Sequence, residues 1–550
     1  MNKLMLGIIG LSVIGTSCSN SEVANKKMEE PSKWEQIKVT YPQTAKKDSI
    51  TNYFGTDIND PFAWLEDDNS EETKQWVIEE NKVTEGYLSQ IPFRDKIKER
   101  YTKLINYEKV SAPRKVGDYY FMNKNDGLQD QSVIYFRKGE SGEWNVFMDP
   151  NKMSEEGTVT VGLLGASKDN RLIAYRYSEA GSDWGEIRVR DIEKNEDIKD
   201  VIKWVKFSGS SWLNDGFFYS GFEAPTEGGE LSAKNKYHTV YYHKIGTDQS
   251  EDRLVYRDTK DPNLYHGVSV TEDEKYLVLY VYQGTDNVDI HFKPASDITG
   301  DFNPLITGFT SKSDVIEHVN GKFLVRTDMD APLNQVVAID PANTDKSNWE
   351  VVIPESENYL SSVATGGGKM FAQYMINATT KIFVMGYDGS GKTEIKLPGT
   401  GSASNMGGKK DEMKLFYSFT SFLYPPTIFE YDVTTGESAE YYKPAIDFDP
   451  SQYIEKQEWF TSKDGTKVPV FIVHKKDLKK DGNNPTLLYA YGGFNISLTP
   501  SFSTSRIILL ENGGVYVMAN LRGGGEFGEE WHQAGMKMKK QNVFDDFIGT

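Results

Sequence analysis

At 550 residues the chain is longer than one hydrophobic core can organise, so two or more domains are expected. Hydrophobic residues at 38% and charged residues at 26% fit a soluble globular protein. A formal net charge of −19 argues against nucleic acid as a partner, because a basic patch would have to overcome that field.

The N-terminus reads as an export signal. Lys3 supplies the positive start, residues 4–14 form an apolar run, and Gly15-Thr16-Ser17-Cys18 places small residues before the single cysteine of the chain. The apolar run is too short to span a bilayer as a helix. With one cysteine, no intramolecular disulfide can form. The segment resembles a bacterial lipoprotein signal, in which the cysteine is lipidated and begins the mature chain. It departs from that pattern at Gly15, where Leu is usual. Ordinary signal cleavage and an uncleaved form are the alternatives. Residues 1–18 are thus expected to be the signal and 19–32 a polar tether. The product is expected to be exported, either periplasmic or held to a bacterial envelope membrane through lipid on Cys18.

Asp60-Pro61-Phe62-Ala63-Trp64 is a turn followed by an aromatic anchor. Ser70 then opens a helical pattern with Trp76, Val83 and Tyr87 on one face. Residues 94–105 predict a second, short amphipathic helix.

From about Asp118 to Gly436 the texture changes to short alternating runs of Tyr, Phe, Val and Ile broken by Asp-Gly, Asn-Asp and Pro turns. These are hairpin signals. Paired strands start near Tyr119, Leu172, Phe217, Tyr276, Lys322, Lys369 and Met413, about 44 to 60 residues apart. Seven such units predict a β-propeller, since one blade cannot bury both its faces and a ring of blades can. A twisted β-sandwich is the structural alternative.

Beyond Pro450, residues 457–462 and 468–474 flank Asp464-Gly465 and predict a hairpin. Residues 486–491 and 515–520 are nearly all apolar, which suits central strands covered on both faces. Each runs into a glycine turn. Strand, glycine turn, strand, glycine turn is how an α/β enzyme builds a site at the carboxyl edge of its sheet. Residues 541–548 predict a helix start with Asn542 as N-cap and Asp545 at its third position. The sequence stops inside that helix, so a longer gene product is expected.

Two motifs read as decoys. Gly386-Tyr387-Asp388-Gly389-Ser390-Gly391-Lys392-Thr393 has the letters of a phosphate-binding loop. A strand and then Pro398 follow, where that loop needs a helix. The seven histidines show no zinc spacing, and no second cysteine exists. Neither a nucleotide nor a metal site is expected. No Gly-x-Ser-x-Gly nucleophile elbow occurs in the 550 residues.

Tyr489-Ala490-Tyr491-Gly492-Gly493-Phe494-Asn495-Ile496-Ser497 is followed by Asn520-Leu521-Arg522-Gly523-Gly524-Gly525-Glu526-Phe527-Gly528. Trp531-His532 and Asn542-Val543-Phe544-Asp545-Asp546-Phe547 come next. Together these stretches resemble the prolyl oligopeptidase family of serine peptidases. Asp60 to Asp67, Gly181-Ser182-Asp183-Trp184 and Ser462-Lys463-Asp464-Gly465-Thr466-Lys467-Val468-Pro469 resemble the same family, in matching order from about Tyr41 onward.

The resemblance implies a seven-bladed β-propeller capping an α/β-hydrolase domain built from N- and C-terminal segments. The expected division is 33–92 for the N-terminal helical segment of the hydrolase domain, 93–446 for the propeller and 447–550 for the first part of the peptidase domain. The implied activity is cleavage of short peptides after proline by acyl transfer, without metal or cofactor. Tyr491 is implied to be the oxyanion-hole donor, and Phe494 an aromatic wall of the proline pocket. By residue type alone, Tyr491 reads as a half-buried strand-end tyrosine and Phe494 as core. Arg522 to Glu526 reads as a structural glycine turn whose arginine pairs locally. Asp545, Asp546 and His532 match structural positions of the family. Its serine, aspartate and histidine are expected beyond Thr550, so the chain as given is expected to be inactive. Expected partners are short proline-containing peptides and membrane lipid, with no nucleic acid, and the chain is expected to be a monomer. The alternatives are a propeller-based peptide-binding lipoprotein without catalysis, or a related oligopeptidase of other specificity.

Overall fold

The computed structural model describes residues 37–226, 234–284, 287–404 and 406–550. The expected signal and tether at 1–18 and 19–32, with Cys18, lie outside the described residues. The chain divides into two compact units, Met1–Lys96 and Ile97–Thr550.

In the first unit a hairpin pairs Ile50–Tyr53 with Thr56–Asn59, and Ala63–Glu66 forms one 3-10 turn. The 18-residue helix Glu71–Leu88 starts where the sequence predicts, because the Ser70 hydroxyl caps the Thr73 amide at 3.2 Å. Trp64 and Trp76 tie this unit to its own N-terminal stretch. Trp64 Nε1 donates to the Ala45 carbonyl, and Trp76 Nε1 to the Thr44 hydroxyl.

Helix Arg94–Ile105, the span predicted from its pattern, begins at the end of the first unit and continues into the second. Seven antiparallel strand groups then follow in chain order over residues 109–442. Their second strands begin at Tyr119, Leu172, Gly216, Tyr276, Lys322, Lys369 and Lys414, each within one residue of the sequence expectation. The second and third groups are joined into one eight-stranded sheet through Val205 and Gly221. This is the seven-bladed propeller, and its core lies between blades. Along strand Tyr276–Gln283, Leu277, Leu279 and Val281 pack against the third blade, while Val278 packs against the fifth. Alternate side chains thus enter different interblade layers, and for this reason the run is continuously apolar. The seventh blade meets the first through Lys414 Nζ to Glu140 Oε2 at 2.9 Å, and through the Tyr442 hydroxyl to the Glu108 carbonyl.

Beyond the propeller a four-stranded sheet runs in the order Tyr453–Thr461, Lys467–Lys475, Val515–Ala519, Thr486–Ala490. The first two form the hairpin expected at Asp464-Gly465. The last two are parallel, with helix Thr504–Glu511 as their crossover. Leu510, Tyr516 and Phe471 pack on Phe422 and Ala378, which belong to propeller loops. Thr486–Ala490 is not covered on both faces, as its apolar run suggested. Among the described residues it is an edge strand, with Leu487 and Tyr489 half exposed. The last helix, Gln541–Gly549, also departs from expectation. Lys540 occupies its N-cap without a side-chain bond, because the Asn542 amide instead reaches back to the Ala534 carbonyl at 2.9 Å.

Candidate active site

The parallel pairing sets Ala490 beside Ala519. The two glycine turns that follow therefore leave the same edge of the sheet side by side, at strand carboxyl ends. They are stitched together by Asn495 N to Gly523 O at 3.1 Å. A Cβ on Gly523 would stand 2.6 Å from the Gly492 carbonyl oxygen, so only glycine permits this approach.

The first turn carries both predicted site residues. Gly492, Phe494 and Asn495 all take left-handed backbone, with φ of 63, 50 and 56°. For a phenylalanine this conformation costs of order 1 kcal/mol or more, and such strain persists where surrounding contacts impose it. Here Ile496 N bonds Gly493 O at 3.0 Å, and Lys540 Nζ bonds Gly492 O at 2.7 Å. Phe494 is 69% exposed and Tyr491 is 45% exposed. Phe494 is thus not core, and the Tyr491 hydroxyl has no hydrogen-bond partner among the described residues. The turn presents one exposed phenyl ring and one phenolic hydroxyl unengaged among the described residues.

The second turn is a scaffold. Arg522 is buried and grips the fully buried Asp546 with Nε and Nη2 at 2.9 and 2.6 Å. Its third nitrogen reaches Asp464 and Thr466 in the hairpin turn. The arginine therefore pairs 24 and 58 residues away, not locally as read from sequence. The hydrogen bond from Arg522 holds Asp464 far below the usual carboxylate range. Glu526, at the end of the same turn, is 1% exposed and accepts from Leu498 N and Asn520 Nδ2. Burial pushes its carboxyl up to about 7. Sequence reading missed Glu526, Asn520 and Lys540 as partners of the first turn. The three successive glycines were the available signal of close approach.

His532 is 3% exposed and contacts Lys312 and Glu529, so it sits in the junction with the propeller and not beside Tyr491. Asp183 and Trp184 lie in and beside a blade loop, before strand Gly185–Asp191. The phosphate-loop lookalike is the hairpin tip between Thr379–Met385 and Thr393–Ile395. Its Ser390 hydroxyl donates to Asp388. Among the described residues no group of three or more His, Cys, Asp or Glu is placed to hold a metal ion.

The propeller ring encloses a cavity of about 620 Å³ lined by Arg114, Lys168, Trp212, Lys409 and Leu415, among others. It opens where the innermost strands end, near Ala166 and Val270. In the sixth and seventh blades the first strands, Tyr359–Gly366 and Ser402–Ser404, start at the peptidase side. There the Ser402 hydroxyl bonds the Pro500 carbonyl, and a Cβ on Gly528 would meet Tyr359. The cavity is therefore the far mouth of the ring.

Residues 42–444 match the model of the prolyl oligopeptidase N-terminal beta-propeller domain, and residues 500–550 match that of the prolyl oligopeptidase family. The chain is 46% identical to the prolyl endopeptidase of Elizabethkingia meningoseptica over 100% of its own length and 76% of the relative's. It is 31% identical to the dual function macrocyclase-peptidase of Galerina marginata, over 93% of this chain and 75% of that one. Among solved structures it is similar to one from a study of two prolyl endopeptidases, with TM-score 0.87, 36% identity and coverage of 93% and 75%. It is also similar to Galerina marginata prolyl oligopeptidase B bound to a 35mer hydrolysis and macrocyclization substrate, with TM-score 0.85, 29% identity and coverage of 92% and 76%.

Proposed function

The chain belongs to the prolyl oligopeptidase family of serine peptidases, and we propose that its turn at 491–494 holds the scissile carbonyl and the proline ring of a short peptide. One observation carries this reading. A tyrosine with an unengaged hydroxyl and a phenylalanine forced into left-handed backbone stand exposed on one turn, at the carboxyl ends of two parallel strands.

Each residue suits its role. The Tyr491 hydroxyl donates to the oxygen that becomes negative when the carbonyl carbon turns tetrahedral. Such a donor is typically worth about 3–4 kcal/mol to the transition state. The prolyl ring offers no N–H to recognise, so an apolar ring such as Phe494 is a fitting wall. The propeller limits access to short, unfolded peptides. The 550 residues contain no nucleophile elbow, so by themselves they bind such peptides without cleaving them. Export and a lipid on Cys18 belong to the same proposal. Mass analysis of the mature N-terminus tests them, and an unmodified Met1 would refute both. The chain acts as a monomer, and light scattering checks this.

The central test has two arms. An N-blocked fluorescent Gly-Pro peptide is expected to bind the 550-residue chain, to bind more weakly to Phe494→Ala, and to remain intact. Turnover by the chain alone, or unchanged binding by Phe494→Ala, overturns the reading. In the second arm the chain is extended by the remaining quarter or so of the Elizabethkingia relative. Tyr491→Phe in this chimera should lower kcat by about 100-fold with KM little changed, since the bond is made in the transition state. A change confined to KM counts against the oxyanion role.

A further inference from the structure

Glu526 is a buried carboxyl with acceptors around it and no cation. Its Oε1 accepts from Leu498 N at 2.8 Å and from Asn520 Nδ2 at 3.1 Å. Among the described residues its Oε2 has no partner, and neither do the buried Asn495 Oδ1 and Asn520 Oδ1. Glu526 Oε2 and Asn495 Oδ1 lie against Gly524 and Gly525. A Cβ on Gly524 would stand 2.2 Å from Glu526 Oε2 and 2.9 Å from the Ile496 carbonyl. One on Gly525 would stand 2.6 Å from Asn495 O and 2.9 Å from Asn495 Oδ1.

Four titratable groups on the surrounding elements are engaged elsewhere. Arg522 is bonded to Asp546 and Asp464, Lys540 to the Gly492 carbonyl, and Glu529 and His532 to Lys312. Tyr491, the one titratable side chain of the first turn, is exposed.

A carboxylate here would hold a charge in a dry site with donors only on Oε1, Leu498 N and Asn520 Nδ2, whereas a carboxylic acid is neutral and supplies a further donor among the unpaired acceptors. We infer that Glu526, as a neutral acid, is a positioning residue that ties residues 494–498 to the second glycine turn and so fixes Phe494 for peptide binding. The inference rests on the reading of Phe494 as a pocket wall. Burial brings the Glu526 carboxyl to about 7, so its proton is lost over the near-neutral range. Once ionised, the group must take up water or release the segment that covers it.

The test measures binding of the same blocked Gly-Pro peptide to the 550-residue chain between about pH 6 and 8.5. Hydrogen exchange of residues 494–498 is followed in parallel. Wild-type affinity should fall above pH 7, approaching tenfold per pH unit as one linked proton requires, while the protection of Leu498, relative to the intrinsic exchange rate at each pH, falls. Glu526→Gln, permanently neutral and able to donate, should keep the low-pH affinity throughout and show a flat profile. A flat wild-type profile, or a Glu526→Gln profile parallel to wild type, overturns the inference. Should Glu526→Gln fail to fold, the wild-type exchange profile decides alone. If wild type binds no peptide at any pH, the pocket reading fails instead, and the exchange profile still decides whether Glu526 governs the segment.

Discussion

Arg522 and Asp546 form a buried two-pronged ion pair, Nε to Oδ2 at 2.9 Å and Nη2 to Oδ1 at 2.6 Å, beneath the turn that carries Tyr491. Asp546 also accepts from the Ser462 hydroxyl and the Arg522 amide. One carboxylate thereby joins the last helix, the hairpin and the second glycine turn.

Removing either partner strands a charge in the interior. Arg522→Ala or Asp546→Asn should cost about 3–5 kcal/mol in urea unfolding. Arg522→Lys should cost nearly as much, because one ammonium cannot reproduce the fork. Asp464 is half exposed, so Asp464→Asn should cost under about 1 kcal/mol. Equal losses at Asp464 and Asp546 would refute the burial argument.

How much of this was legible in the sequence depends on the range of the interaction. The starts of the second strand in all seven blades could be read, because alternation and turn residues are local signals. The hydroxyl cap at Ser70 was legible for the same reason. Arg522 was misread as locally paired, since its partners lie 24 and 58 residues away and no spacing rule reaches them. Asn542 failed as a cap because a tertiary acceptor, Ala534 O, outcompeted the helix end. The left-handed backbone at Phe494 was invisible, because residue type argues against it and the turn is held by contacts such as Lys540 Nζ to Gly492 O, 48 residues apart.

In the third blade, His243 is fully buried between Asp252 Oδ1 at 2.7 Å and Asp200 Oδ1 at 3.0 Å. Burial opposes its charge, but the bonds to Asp200 and Asp252 outweigh that and push its pKa up to about 9. The folded value lies above the unfolded value of about 6.5, so the stabilisation is whole below 6.5 and is lost as pH rises through 9. The melting temperature should fall between pH 7 and 10. His243→Gln should cost about 3 kcal/mol or more at pH 6 and flatten that fall. An unchanged pH slope in the variant would remove His243 as its cause.

Gly525 is a second point, after Gly523, where the two site turns approach closely. A methyl there would meet Asn495 O at 2.6 Å, Asn495 Oδ1 at 2.9 Å and Ser497 Oγ at 2.9 Å, two of them side-chain atoms and one backbone. Gly525→Ala should cost about 1–3 kcal/mol and weaken peptide binding further than the loss of fold explains, because the first turn must shift. Thermal melts and peptide anisotropy on one sample separate the two effects. Full affinity in a destabilised variant would show that the turn does not set the pocket.

Lys312, at the start of the fifth blade, reaches across to the peptidase part. Its Nζ bonds Glu529 Oε2 at 2.5 Å and His532 Nδ1 at 3.2 Å, on the short helix Glu529–Gln533. The Glu529 amide is bonded to Pro332 O, so backbone and side chain hold the same corner. Burial raises the Glu529 carboxyl, but bonds from His532, Lys312 and Gln533 overcome this and bring it down to about 2. The folded value lies below the unfolded value of about 4.5, so this stabilisation is present above 4.5 and is lost as pH falls toward 2. Lys312→Met keeps the stem but removes the donor, and should cost about 1–3 kcal/mol at neutral pH. Hydrogen exchange of residues 527–536 should quicken in this variant while blades one to three keep their protection. The variant should also lose less stability than wild type on acidification from pH 5 to 3, because its Glu529 is no longer held ionised by the ammonium. Uniform loss of protection across the propeller would instead mean that Lys312 supports the fifth blade itself and not its hold on the peptidase part.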